Sequence, residues 1–260
     1  MMISKKEKRI GEERLNNQGC LMKIVEYIDC DNIVVEFQDE KAAKINSQYS
    51  HFLKGQIKNP YYPSVFGVGV IGVKYPVWAD GKMIREYIMW RGMLERCFSE
   101  RFKNKHQSYK DAICCDEWLL YESFYEWLHN QENFDKWNDG NRFALDKDIL
   151  IKGNKFYYPK GCCLVPINVN SLFTKSNAIR GIEPIGVKKH GKKYQASCHN
   201  PFTNKMEFIG TYPTTEDTFI AYKNYKEDII KQVAKEEYNK GNITKECYNA
   251  MMNYEVEIDD

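Results

Sequence analysis

Lys188, Lys189, Lys192 and Lys193 lie within six positions, with Arg180 before them and Lys205 after. Over positions 180–210 these six basic residues face two acidic ones, Glu183 and Glu207, a local charge of +4. Such a strip holds phosphates, because each phosphate it neutralises releases condensed counterions. Its plainer meaning is a solvated surface face. A second strip, positions 91–110, sets Arg91, Arg96, Arg101, Lys103, Lys105 and Lys110 against Glu95 and Glu100, again +4. Positions 236–260 carry seven acidic residues against two basic ones, a charge of −5. The whole chain has 260 residues, 38 Lys+Arg and 36 Asp+Glu, and is only +2. That balance excludes nucleic-acid binding by bulk charge, but not by a local strip.

Other chemistry-bearing patterns read as structural. The nine cysteines contain no C-x-x-C, the turn that aims two thiolates at one metal. They read as unbridged, mostly buried thiols. A zinc site from Cys114 or Cys115 with Cys162 or Cys163 is the alternative. Residues 67–72, GVGVIG, match G-x-G-x-x-G in form. That fingerprint needs a helix to start there, and Val73-Lys74-Tyr75-Pro76 opposes one. A glycine-rich strand or loop is expected. His129 and His190 are lone histidines and read as satisfied side chains.

The elements that must position these residues follow from period and punctuation. The first 16 residues are charged, and read as frayed or helical. Cys20–Tyr27 and Ile33–Phe37 read as strands around the turn Asp29-Cys30-Asp31-Asn32. Trp90, Met93, Leu94 and Cys97 fall on one helical stripe within 84–98. A second helix is expected over 116–130, begun by Asp116 and apolar on two sides, hence buried. Ile185–Lys188, Tyr194–His199 and Lys205–Ile209 read as three short strands. Thr214-x-x-Asp217 then resembles a capping box, ahead of a helix with Phe219, Tyr222, Lys226, Ile229 and Val233 on one face. Thr244 starts a last helix reaching Met252. The expected class is α+β. No run approaches the ~18 apolar residues of a membrane span, and the N-terminus lacks a signal peptide's apolar stretch. A soluble protein without membrane association is expected.

Residues 67–178 resemble phage and mobile-element proteins related to HNH homing endonucleases. The matching pieces are Trp90-x-Gly92-Met93-Leu94-x-Arg96-Cys97, Tyr109, Cys115-Asp116-Glu117-Trp118, Phe124-x-x-Trp127, Leu145-Asp146-Lys147-Asp148, Gly153-Asn154-Lys155, Tyr157-x-Pro159-x-x-Cys162-x-x-Val165-Pro166 and Asn168/Asn170. Residues 180–235 are similar to the Apetala-type (ethylene-response-factor-like) DNA-binding domain. Gly186-Val187, Lys193-Tyr194-x-Ala196, Ile209-Gly210-x-Tyr212, Thr214 or Thr215, and Ala221-Tyr222 carry that similarity. Three segments result: a small N-terminal β module (1–60), a degenerate HNH-like α+β core (61–178), and a three-stranded antiparallel sheet on a helix with an acidic tail (179–260).

The resemblance implies double-stranded DNA as partner and a cytoplasmic setting inside a phage-infected or lysogenic bacterial host. Lys188, Lys189, His190, Lys192, Lys193, Tyr194, Gln195 and Lys205 would touch DNA from the sheet, joined by Arg91, Arg96 and Arg101 of the second strip. An HNH centre needs a His base, a central Asn and a metal-binding His or Asn. No His occurs from 130 to 189, and Gly161 takes the central position. A core that keeps the fold without cleaving is therefore expected. Asp146-Lys147-Asp148 reads as local ion pairs and turn contacts. The alternative is an active endonuclease, with Asp146 and Asp148 holding Mg²⁺ and Asn168 or Asn170 assisting. A third reading is a phage-encoded inhibitor that binds a host protein, suggested by the extra N-terminal module and acidic tail.

Overall fold

The computed structural model describes residues 8–174 and 183–258. The chain divides into two compact units, Met1–Lys110 with Cys114–Glu126, and Asp111–Ile113 with Trp127–Asp260. Helices and several small sheets coexist in them, so the class is α+β.

In the first unit β1 (Glu13–Leu15), β2 (Leu21–Tyr27), β3 (Ile33–Phe37) and β4 (Lys44–Ser47) form an antiparallel meander in chain order. Met22, Ile24, Ile33, Val35 and Phe37 alternate onto one buried face, packed with Phe52 of α1 (Tyr49–Leu53). A bulge between Ile24 and Glu26 resets the alternation, so Tyr27 also turns inward. Of the charged N-terminal stretch, residues 1–7 lie outside the described ones, and those that follow are not simply frayed or helical. The open edge of β2 recruits them: Gly11 donates to the Ile24 carbonyl (2.8 Å) and Ile24 donates to that of Glu12 (3.0 Å). Arg9 then lies 3.8 Å over the Tyr49 ring and donates to the Tyr27 hydroxyl (2.7 Å).

After the hairpin of β5 (Trp78–Ala79) and β6 (Lys82–Met83), α2 (Arg85–Phe98) buries Tyr87, Trp90, Met93, Leu94 and Cys97, the predicted stripe. Ser99 caps α3 (Glu100–Lys105) by accepting from the Phe102 N–H. The GVGVIG segment forms no helix; Gly69 bridges Val65 and Val70 bridges Leu120. That bridge also explains a departure from expectation. The helix expected over 116–130 is split into a 3-10 turn, Asp116–Leu119, and α4 (Tyr121–His129). Val70 donates to the Leu119 carbonyl and accepts from the Tyr121 N–H, both at 2.8 Å. The chain thereby loses helical continuity at Leu120. Trp90 spans the break from the other side, donating its indole N–H to the Trp118 carbonyl (2.8 Å).

In the second unit β7 (Ile113–Cys114), through Ile113, donates to the Lys155 carbonyl beside β9 (Phe156–Tyr157). After α5 (Phe134–Asn138), β8 (Phe143–Asp146) pairs antiparallel with β10 (Cys163–Pro166), which runs straight into α6 (Ile167–Leu172). Then β11 (Val187–His190), β12 (Lys193–Asn200) and β13 (Lys205–Tyr212) form an antiparallel sheet in chain order. The 25-residue α7 (Thr215–Asn239) packs on it, followed by α8 (Lys245–Met252). Thr214 caps α7 as the capping-box pattern predicts, accepting from the Asp217 N–H (3.1 Å). One core joins these parts: Val165 and Val169 of the β10–α6 segment, Val187, Ala196 and Cys198 of the sheet, Phe219 and Ile230 of α7, and Cys247 of α8. Among the described residues, no helix is long and apolar enough to cross a membrane.

Candidate nucleic-acid interface

Pairing register assigns the two faces of the C-terminal sheet. Val187 sits opposite Ala196, Lys188 opposite Gln195, and His190 opposite Lys193. Val187, Ala196 and Cys198 are buried towards α7, so the intervening residues point away from it. On β13 the register shifts at the Ala196/Ser197 step, which leaves Ile209 unpaired; beyond it Ser197 faces Phe208 and His199 faces Met206. The outer face therefore carries Lys188, His190, Lys193, Gln195, Ser197, His199, Met206, Phe208 and Thr211. None of these is acidic.

The strand carboxylate, Glu207, lies opposite Cys198 on the helix side. It accepts from Thr203 Oγ1 and Asn200 Nδ2, both at 2.9 Å, and from the Tyr225 hydroxyl. The Tyr225 bond and then that of Thr203 hold its carboxyl below the usual range. Its charge is thus fixed away from the outer face.

Of the eight sheet residues singled out in the sequence, Lys188, His190, Lys193 and Gln195 share this face, and Lys192 lies in the two-residue turn beside it. Lys189, Tyr194 and Lys205 have the opposite parity. Lys189 pairs with Tyr194, whose ring packs against the core, and Lys205 pairs with Asn200. Sequence reasoning missed His199, Met206 and Phe208. Met206 and Phe208 are 64% and 65% exposed, although apolar residues alternating on a strand ordinarily signal a buried face. The register shift and the helix behind the sheet decide the matter, and neither is local. The second strip belongs to the first unit: Arg91 stands over the Phe66 ring (5.5 Å), Arg96 over that of Tyr109 (5.8 Å), and Arg101 is exposed on α3.

The candidate nuclease residues have other duties. Asp146 is buried, and its Oδ1 accepts from the backbone N–H groups of Asp148 and Ile149, both at 2.7 Å. Burial raises its carboxyl above the usual range, partly offset by those two bonds. Lys147 Nζ lies 2.8 Å from both oxygens of Asp148. Asn154 closes the same loop by donating to the carbonyls of Lys147 (2.9 Å) and Phe156 (2.8 Å). Local ion pairing and turn contacts are thus what the triplet makes.

Asp146 pairs with Cys163 at one end of the ribbon, whereas α6, with Asn168 and Asn170, follows Pro166 at the other. Three strand steps separate those ends by about 10 Å. This donor set does not fit Mg²⁺: one carboxylate caps a loop and the other already holds an ammonium. Among the described residues, no group of three or more His, Cys, Asp or Glu is placed to hold a metal, and no disulfide joins the cysteines.

No family model, curated protein or solved structure matches the chain.

Proposed function

We propose that the chain is a DNA-binding protein of phage or mobile-element type that docks duplex DNA on the outer face of the β11–β13 sheet and does not cleave it. One observation carries the reading. Lys188, His190, Lys193 and His199 share a face without a carboxylate, while Glu207 is hydrogen-bonded on the other side. Lysine is a point charge without arginine's fork, so it supplies phosphate contacts. The strand–strand–helix order of β8, β10 and α6 supports kinship with an HNH-like core. The engagement of Asp146 and Asp148 in their own loop supports the absence of cleavage.

The test is fluorescence anisotropy of a labelled duplex across a salt series, with wild type and a variant carrying Ala at 188, 192 and 193. Wild-type affinity should fall steeply with salt. The variant should bind more weakly, with a salt slope lower by about 0.9 for each phosphate it no longer neutralises. Equal, salt-insensitive signals from both proteins would sink the proposal. Supercoiled plasmid with Mg²⁺ or Mn²⁺ should stay intact; nicking abolished by Asp146→Ala would overturn the non-cleaving part.

A further inference from the structure

The sheet face holds more than cations. Phe208 and Met206 are 65% and 64% exposed and sit two residues apart on β13, hence on the same side. Gln195 lies on that side as well, between Lys188 and Thr211 in the register. No described residue of the three strands is arginine. Resting on the proposed DNA-binding role of this face, we propose that it prefers A·T pairs, with Phe208 and Met206 reading thymine methyl groups and Gln195 reading adenine.

The major groove offers one apolar feature, the thymine C5 methyl, and adenine offers the N6/N7 edge that a glutamine amide matches with two hydrogen bonds. Guanine is matched best by arginine's fork, which this face lacks. Spacing agrees as well. Side chains at i and i+2 of a strand stand about 6.8 Å apart. Base pairs rise about 3.4 Å per step along one DNA strand. Met206 and Phe208 therefore match thymines two steps apart on one strand, the spacing in an alternating A–T sequence. Charge complementarity with the phosphates comes from Lys188 and Lys193, further along the same face towards the β11–β12 turn.

The probes are three alternating duplexes of about 20 base pairs, a length that exceeds the face. They are adenine–thymine, adenine–deoxyuracil, which lacks only the methyl groups, and guanine–cytosine. Wild type should bind the thymine duplex tightest and weaken roughly fourfold for each methyl it touches when uracil replaces thymine. Phe208→Ala should cut the thymine-over-uracil preference by roughly fourfold, and Phe208→Ala with Met206→Ala should bind the two duplexes alike, each with the salt slope unchanged. Gln195→Ala should narrow the preference over guanine–cytosine. All three side chains are at least partly exposed, so the variants should fold. Equal wild-type affinity for thymine and uracil duplexes, or tighter guanine–cytosine binding, overturns the A·T reading and leaves duplex binding standing. Failure to bind any of the three overturns the DNA-binding role itself, and this inference with it.

Discussion

The Asp146 carboxylate accepts from two backbone N–H groups in a buried loop, and these two facts set opposite expectations for two substitutions. Asp146→Asn keeps an oxygen acceptor and removes a charge that burial disfavours. Asp146→Ala removes the acceptor and leaves two N–H groups without it. We expect the alanine variant to lie about 1–3 kcal/mol below the asparagine variant at any pH. The difference of either from wild type depends on pH. Asp146 has a raised carboxyl pKa in the folded protein. Its stabilising contribution is complete below the unfolded value of about 3.9 and fades as pH rises through the folded value. Urea midpoints of Asp146→Asn relative to wild type should therefore improve from acid towards neutral pH. A difference independent of pH would contradict the burial argument. Sequence alone exposed the residue but not this balance, because Asp146 is buried through the pairing of β8 with β10.

At the scale of elements, the contact between the sheet and α7 rests on a close approach at Gly186. This glycine enters β11 with φ +75°, and a Cβ there would lie 1.9 Å from Cδ2 of the buried Tyr222. Gly186→Ala should cost about 2–4 kcal/mol by combining left-handed strain with overpacking, read as a lower denaturant midpoint. If the midpoint is unchanged, Tyr222 is not packed as described. Both halves of that contact were legible as pattern: the Gly186-Val187 step, and Tyr222 on the apolar stripe of a helix begun by Thr214. What local pattern did not reveal is long-range. The break at Leu120 depends on Val70, some fifty positions away in the chain, inserting a donor and an acceptor. The strand at Glu13–Leu15 depends on an open edge of β2, which no local propensity reports. The outward turn of Phe208 likewise depends on which side of the sheet α7 covers. Periodicity finds faces, but long-range pairing decides which face is wet.

Across the whole molecule, a net charge of +2 spread over 260 residues says little about affinity, because charges separated by more than a screening length of about 8 Å act nearly independently at physiological salt. Position should therefore outweigh total charge, and a matched pair of reversals tests this. Lys193→Glu and Lys235→Glu change the net charge equally. Lys193 stands on the outer face of the sheet, opposite His190. Lys235 is exposed near the C-terminal end of α7, a helix about 37 Å long that packs on the opposite side of that sheet. Lys193→Glu should weaken duplex binding more than about tenfold, since it removes a phosphate contact and places a repulsive charge in the face. Lys235→Glu should change affinity less than about twofold, because its field is screened before reaching the DNA. Equal losses from the two reversals would mean that binding follows total charge and would remove the assignment of this face.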